Sequence, residues 1–332
     1  MERVDCCVCG SKRKRDYVTT WDRSHGQPGE FTFEKCLGCG HVYLDPRPTQ
    51  TEIAAYYPDT YKEYATTVDD EPNLFLRLNR QYGMAKRCAV ITKQMQPGRL
   101  LDVGCGTGLF LDAMRRRGWQ VEGEDMTPTA VRFARERFGL NVFEGTLEAA
   151  NYPSNTFDAV TMWNVIEHVP DPPATLQECA RILRPGGIIV MATPNVHAFD
   201  AHIFGRFWAL WEAPRHFNVF SPDSLGRVLT NAGYESIASS SIVGTWFGTV
   251  TSLQYIWEDM RHAHLAPGVG DRPFWDMGPL FQVARAIAFP YNWLTDRFGA
   301  GSTMVVTAVR STSHVDADPP DFLARQTVSS GS

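Results

Sequence analysis

From Gly98 onward, short apolar runs alternate along the chain with segments of helical periodicity. Residues 99–103 read as a first strand, and 106–117 carry a turn into the first helix. Residues 119–124 read as a second strand and 157–163 as a buried one, followed by a proline-bounded helix ending at Leu183. Arg184-Pro185-Gly186-Gly187 reads as a turn into a strand over 188–193, and 304–309 as the last strand. This alternation predicts an α/β domain built on an open parallel sheet.

The flanks follow other patterns. Residues 31–35 alternate like a ribbon strand, and Pro46 and Pro48 mark a turn out of it. Residues 51–57 read as a short helix stopped by Pro58, in a segment bearing Tyr56, Tyr57, Tyr61 and Tyr64. Packing onto the main domain and lining a substrate pocket both account for those tyrosines. Residues 74–95 look amphipathic. The predicted division is a head over 1–48, a helical arm over 49–97, a core over 98–241, a hydrophobic insertion over 242–302, a last strand over 303–310 and a disordered tail over 311–332. Within the insertion, 284–294 has the Trp and Tyr placement of a segment lying on a membrane surface; a dimer contact or a cover over substrate explains the same pattern.

Composition narrows the class. A formal charge of −5 over 332 residues gives no general attraction to phosphate, and Arg3 with Lys12, Arg13, Lys14 and Arg15 is the one local basic candidate, so a nucleic-acid partner is not expected. The N-terminus shows no apolar signal region, and no run reaches the ~18 apolar residues of a membrane span, so a cytoplasmic location is expected, with peripheral contact at the inner face of the membrane the variant that the insertion allows. Nothing in the pattern speaks to oligomeric state. In a reducing compartment, clustered cysteines are metal ligands or reactive thiols rather than disulfides.

Four of the eight cysteines cluster in that way. Cys6-Cys7-Val8-Cys9-Gly10 and Cys36-Leu37-Gly38-Cys39-Gly40 each form a C-x-x-C-G turn, and two such turns jointly suit a tetrahedral Zn²⁺ on Cys6, Cys9, Cys36 and Cys39. Four thiolates leave no open position for water, so the role expected is structural. Cys7 and His41 are spares that the spacing leaves out.

The chemistry is expected at Asp102-Val103-Gly104-Cys105-Gly106-Thr107-Gly108, where glycines remove side chains at a strand-to-helix turn and let the backbone pass close to a polar nucleoside cofactor. Asp102, before the glycines, is placed to meet an amino-acid ammonium group. Asp125, about 20 residues beyond the loop, is placed to accept hydrogen bonds from ribose hydroxyls, with Glu124 as its rival.

Residues 101–108 resemble motif I of the class I S-adenosylmethionine-dependent methyltransferases, and the likeness continues through residues 122–128, the strand at 157–163 and the Pro185-Gly186-Gly187 turn. The resemblance implies a Rossmann-like, doubly wound seven-stranded sheet carrying a small N-terminal zinc ribbon. It also implies S-adenosyl-L-methionine held by Asp102, Gly104, Cys105, Gly106, Gly108, Asp125, Met126, Leu147 and Asn164. Thr146 stands where relatives commonly carry an Asp toward adenine. The paired knuckles followed by Asp45-Pro46-Arg47-Pro48 resemble a bacterial subgroup of methyltransferases with a zinc-binding head, many of them associated with polysaccharide, sugar or other small-metabolite biosynthesis.

For the acceptor, the stretch 204–217 is expected at the carboxyl edge of the sheet, its aromatics available to stack on a sugar face and Arg215 and His216 to offer charge and hydrogen bonds; a packed lid is the other reading of the same stretch. His168 and His216 are the candidate general bases, with Glu167 beside them. Glu167-His168 also resembles the metal-ligand pair of the ubiquinone-pathway O-methyltransferases, whose preceding glutamate falls on Asn164. The function expected is O-methylation of a small-molecule, sugar or glycan-type acceptor. C-methylation of an activated sugar, RNA methylation and a non-catalytic cofactor-binding module are the alternatives.

Overall fold

The structure is a computed structural model that describes residues 1–57, 74–241, 246–261 and 279–312. Strands β1 (Lys14–Trp21), β2 (Glu30–Cys36) and β3 (Val42–Leu44) form the antiparallel ribbon of the head, and a 3-10 turn over Ile53–Tyr56 follows. Helix α1 (Leu74–Thr92) leads into the core, whose elements are β4 (Arg99–Val103), α2 (Leu109–Arg115), β5 (Gln120–Asp125), α3 (Pro128–Phe138), β6 (Asn141–Glu144), α4 (Leu147–Ala150) and β7 (Phe157–Trp163). A 3-10 turn over Ile166–His168 precedes α5 (Pro172–Ile182) and β8 (Leu183–Pro194). Beyond them lie α6 (Phe199–Phe204), β9 (Asn218–Val219), α7 (Pro222–Asn231), β10 (Tyr234–Ser240), α8 (Trp246–Arg261), α9 (Pro279–Arg297) and β11 (Thr303–Arg310).

The main sheet has seven strands in the order β10-β11-β8-β7-β4-β5-β6. The strands from β4 to β8 pair in parallel, whereas β11 runs antiparallel to both β8 and β10. The sheet is therefore mixed: its parallel part is what the alternation predicts, and its seven strands on a doubly wound plan are what the resemblance implies. Helices on the faces explain why β4 and β7 read as nearly unbroken apolar runs, since both sides of a central strand are buried. Strand order reverses beside β4, so the carboxyl ends of β4 and β7 flank the crevice where such sheets take ligands.

Local departures from the sequence reading have physical causes. The turn expected at 184–187 lies inside β8, where the pairing jumps from Phe157 with Leu183 to Ala159 with Ile188. A Cβ on Gly187 would lie 3.0 Å from the Asp158 carbonyl oxygen, so this glycine lets the bulge close on β7. Arg184 pins it through a 2.8 Å bond to Asp158. The first helix ends at Arg115, short of 117, because Gly118 at φ +89° turns the chain into β5.

The head is not a detached ribbon. Strand β9, taken from the core, pairs with β3 through Val42 with Val219 and Tyr43 with Asn218, completing a four-stranded sheet β1-β2-β3-β9. Phe31, Phe33 and Leu44 of the ribbon pack with Trp208, Trp211 and Phe217 in one buried cluster. The indoles of Trp208 and Trp211 thus face inward, with Nε1–H donated to Ser302 Oγ at 3.3 Å and to the Gly205 carbonyl at 2.8 Å. Of the two readings of this stretch, the packed cover is the one that these two indoles follow, and they are not available to stack on an acceptor.

Helices α8 and α9 are fastened by the buried Asp200 carboxylate, which accepts bonds from Thr249 at 2.8 Å, Ser302 at 2.5 Å and Tyr291 at 2.5 Å. Their outer side exposes Trp257, Met260, Ile287, Phe289, Trp293 and Phe298. Among the described residues, no helix is long and apolar enough to cross a membrane. Tyr61, Tyr64 and the tail from 313 lie outside the described residues.

Candidate active site

The glycine loop joins β4 to α2 at the crevice. Gly106 has φ +53°, and a Cβ added there would meet nothing within 4 Å, so the loop opens onto free space at this point. Gly104 and Gly108 are different: a Cβ would come 2.6 Å from Val165 Cγ2 and 2.5 Å from Leu140 Cδ1. At those two positions the missing side chain also lets neighbouring elements pack against the loop.

Two carboxylates brace the loop from β5. Asp125 accepts from Gly106 N at 2.8 Å and from Thr127 N at 2.8 Å, and Glu124 accepts from Gly104 N at 3.1 Å. Asp102, at the end of β4, accepts from Thr161 Oγ1 at 2.6 Å. Burial raises Asp102 to about 7 and Glu124 to about 8. Around them, Met126 is exposed, Leu147 is packed in the core, and Thr146 is occupied in capping α4 through a bond from Ala149 N. Cys105 is buried, and Asn164, exposed at the end of β7, holds a left-handed backbone at φ +58°.

Beyond Asn164, the structure brings together the two candidate histidines. The His168 and His216 rings meet edge to face with centroids 4.6 Å apart. His168 Nδ1 lies 3.0 Å from the Arg215 carbonyl oxygen and His216 Nδ1 lies 2.9 Å from that of Leu210. A carbonyl only accepts, so each ring carries a hydrogen on Nδ1; His168 then keeps its lone pair on Nε2, whereas His216 Nε2 faces Glu212 Oε2 at 3.4 Å. Burial, with His216 beside it, pushes His168 down to about 3, and burial lowers His216 as well, so both are neutral near pH 7. Glu167, His168 and His216 place one potential ligand atom each within 4.8 Å of one another.

Tyr57 Oη, 3.2 Å from His168 Nδ1, brings the tyrosine arm to this site. Arg215 does not offer its charge to an acceptor as expected. Its side chain is fully buried and pairs with Asp22 at 2.8 Å and with Glu212 at 3.2 Å. Asp22 and Glu212 escaped the sequence reading; the Glu212, Arg215, His216 spacing was the one available signal, and Asp22 had none.

A family profile described as a methyltransferase domain matches residues 76–239. A ubiquinone biosynthesis O-methyltransferase of Azoarcus sp. (strain BH72) is 32% identical over 179 residues, covering 48% of this chain and 73% of the relative. The chain belongs to the class I S-adenosylmethionine-dependent methyltransferases. A second ubiquinone biosynthesis O-methyltransferase, from Aromatoleum aromaticum (strain DSM 19018 / LMG 30748 / EbN1), is 29% identical, with 66% of this chain and 94% of the relative aligned. Among solved structures, a SAM-dependent methyltransferase from Archaeoglobus fulgidus aligns over 69% of this chain and 94% of its own, at 21% identity and a TM-score of 0.47.

The head of this methyltransferase gathers its cysteines as the knuckle spacing requires. The sulfurs of Cys6, Cys9, Cys36 and Cys39 all lie within 4.8 Å of one another, with Cys6 to Cys39 and Cys9 to Cys36 at 3.5 Å each. Gly38 N donates to Cys36 Sγ at 3.3 Å, the amide-to-sulfur bond typical of a metal knuckle. Cys7 stands apart from the four; its Sγ lies 3.4 Å from Asn218 Oδ1, and His41 Nε2 lies 3.1 Å from the same oxygen.

Proposed function

We propose that this methyltransferase O-methylates a small hydroxyl-bearing molecule and that His168 is the general base. The reading rests on one observation: His168 Nδ1 lies 3.0 Å from the Arg215 carbonyl oxygen, which only accepts, so Nδ1 carries the hydrogen and Nε2 is the nitrogen left to accept a proton. S-adenosylmethionine supplies the electrophilic methyl group. His168 Nε2 takes the hydroxyl proton as the acceptor oxygen bonds to the methyl carbon and the carbon–sulfur bond breaks in line, leaving a neutral thioether. The two relatives are named as O-methyltransferases of ubiquinone biosynthesis, which favours a small-molecule hydroxyl over a glycan, a sugar carbon or RNA.

The open space at Gly106 fits a cofactor lying against the loop. Asp102 would meet its ammonium group and Asp125 its ribose, with Cys105, Met126, Leu147 and Asn164 bordering it. A structural Zn²⁺ on Cys6, Cys9, Cys36 and Cys39 fits the four sulfurs, since a tetrahedral site with Zn–S near 2.3 Å needs sulfurs roughly 3.8 Å apart. The clustering of Glu167, His168 and His216 favours a second reading, in which they hold a divalent cation that polarises the acceptor oxygen.

Transfer of labelled methyl from S-adenosylmethionine to catechol, with a hexose and an unstructured RNA in parallel, tests the proposal. Catechol methylation that falls at least ~100-fold in His168→Ala, and is indifferent to chelation, supports the base. Undiminished transfer by His168→Ala overturns it. Activity abolished by chelation and restored by Mg²⁺ supports the cation reading instead.

A further inference from the structure

We infer that Asp22, in the loop after β1 of the ribbon, is a positioning residue for His168. Its carboxylate grips the Arg215 guanidinium at two points, Oδ1 to Nη2 at 2.8 Å and Oδ2 to Nη1 at 3.1 Å, and neither side chain is exposed to solvent. Oδ1 also accepts from Ser24 N at 3.2 Å and His25 N at 3.1 Å, which fixes the carboxylate within its own loop. A bidentate, desolvated Arg–carboxylate pair is a directional clamp.

The clamp sets both groups that meet His168 Nδ1. Arg215 presents its own carbonyl oxygen there at 3.0 Å. Through Nη1 it also holds the Tyr56 carbonyl at 3.1 Å, and Tyr57, the next residue, places its hydroxyl 3.2 Å from the same Nδ1. Glu212 also accepts from the guanidinium, at Nε, at 3.2 Å. A residue of the head, 193 positions before Arg215 in sequence, thereby selects the tautomer and the facing of a ring in the core. The ribbon thus helps build the active site in addition to stabilising the fold.

The catalytic consequence rests on the reading of His168 as the base, but the structural claim does not, and the test keeps them apart. Long-range ¹H–¹⁵N correlation on histidine-labelled protein reports each ring's tautomer, with His168 assigned by comparison with His168→Gln. The expected result is an Nδ1–H ring in the wild type, both ring nitrogens shifted toward the tautomer average in Asp22→Asn, and partial return in Asp22→Glu. Calorimetry with S-adenosylmethionine should stay within ~2-fold of wild type in each variant, because Asp22 does not border the loop. If Asp22→Asn fails to fold with an unpaired arginine inside, the neutral pair Asp22→Asn/Arg215→Gln takes its place and should show the same shift. A folded variant whose His168 keeps the wild-type signals overturns the inference. Undiminished transfer by His168→Ala overturns the base reading alone, while the tautomer shift in Asp22→Asn still supports the positioning role.

Discussion

Gly106 donates its backbone N–H to the Asp125 carboxylate at 2.8 Å, so the residue facing open space in the cofactor loop is held by the acid proposed to hold ribose. One carboxylate thereby braces the loop and borders the site. Replacing Asp125 by Ala should weaken S-adenosylmethionine binding at least ~10-fold, about 1.4 kcal/mol. Glu124 faces Gly104 N and is protonated at neutral pH, so Glu124→Gln keeps its shape and should change affinity by less than ~3-fold. Calorimetry on both variants checks this; a larger loss from Glu124→Gln would reverse the assignment.

Asp102 links cofactor binding to protons. Its carboxyl is raised to about 7 by burial, above its value in an unfolded chain, so its stabilising contribution is complete at low pH and is lost as pH rises through 7. An ammonium group beside it favours the ionised form. Binding near pH 7 should therefore release protons, seen as heats that differ between phosphate and Tris buffers. Asp102→Asn should remove that linked component; if it persists unchanged, Asp102 is not the linked group.

His168 acts in the opposite direction on stability. Burial depresses its basicity in the folded protein, so its contribution is present above the unfolded value of about 6.5 and is lost as pH falls below it. His168→Gln should flatten the decline of the thermal midpoint between pH 6.5 and 4.5. An unchanged profile would mean that the ring is not held neutral.

The cysteine cluster should bind about one zinc per chain, and Cys36→Ser/Cys39→Ser should bind almost none. Because β9 completes the head's sheet, metal loss should also lower the thermal midpoint of the whole protein by several degrees rather than release a separate small transition. Elemental analysis and calorimetric scans report the two effects. Unaltered stoichiometry would refute the site.

Asp200 ties α6 to α8, α9 and the Ser302 turn before β11 without touching the loop or the histidines. Asp200→Ala removes the shared acceptor of the buried Ser302 and Thr249 hydroxyls and of the half-buried Tyr291 hydroxyl, of which Thr249 keeps Asn292 Oδ1 at 2.7 Å, and should cost about 1–3 kcal/mol in denaturant unfolding. Cofactor affinity should be preserved. A fall in affinity as large as that of Asp125→Ala would mean that the α8–α9 pair takes part in binding.

Features written in neighbouring residues were legible before any folding was known. The parallel core was readable because apolar runs of four to seven residues report strands buried on both faces. The glycine loop, Asp102 and Asp125 were readable because one turn connects them to a strand end, and the cysteine quartet because each knuckle carries its own pair within four residues. Only the tertiary structure decided what distant segments do to one another. It joined β3 to β9, turned Trp208 and Trp211 inward, packed Val165 and Leu140 against Gly104 and Gly108, and set His168 against His216. The physical reason is clearest at Arg215. A local pattern cannot tell a guanidinium offered to an acceptor from one desolvated and neutralised by Asp22, 193 residues earlier, because the partner that decides its charge environment lies outside any local window.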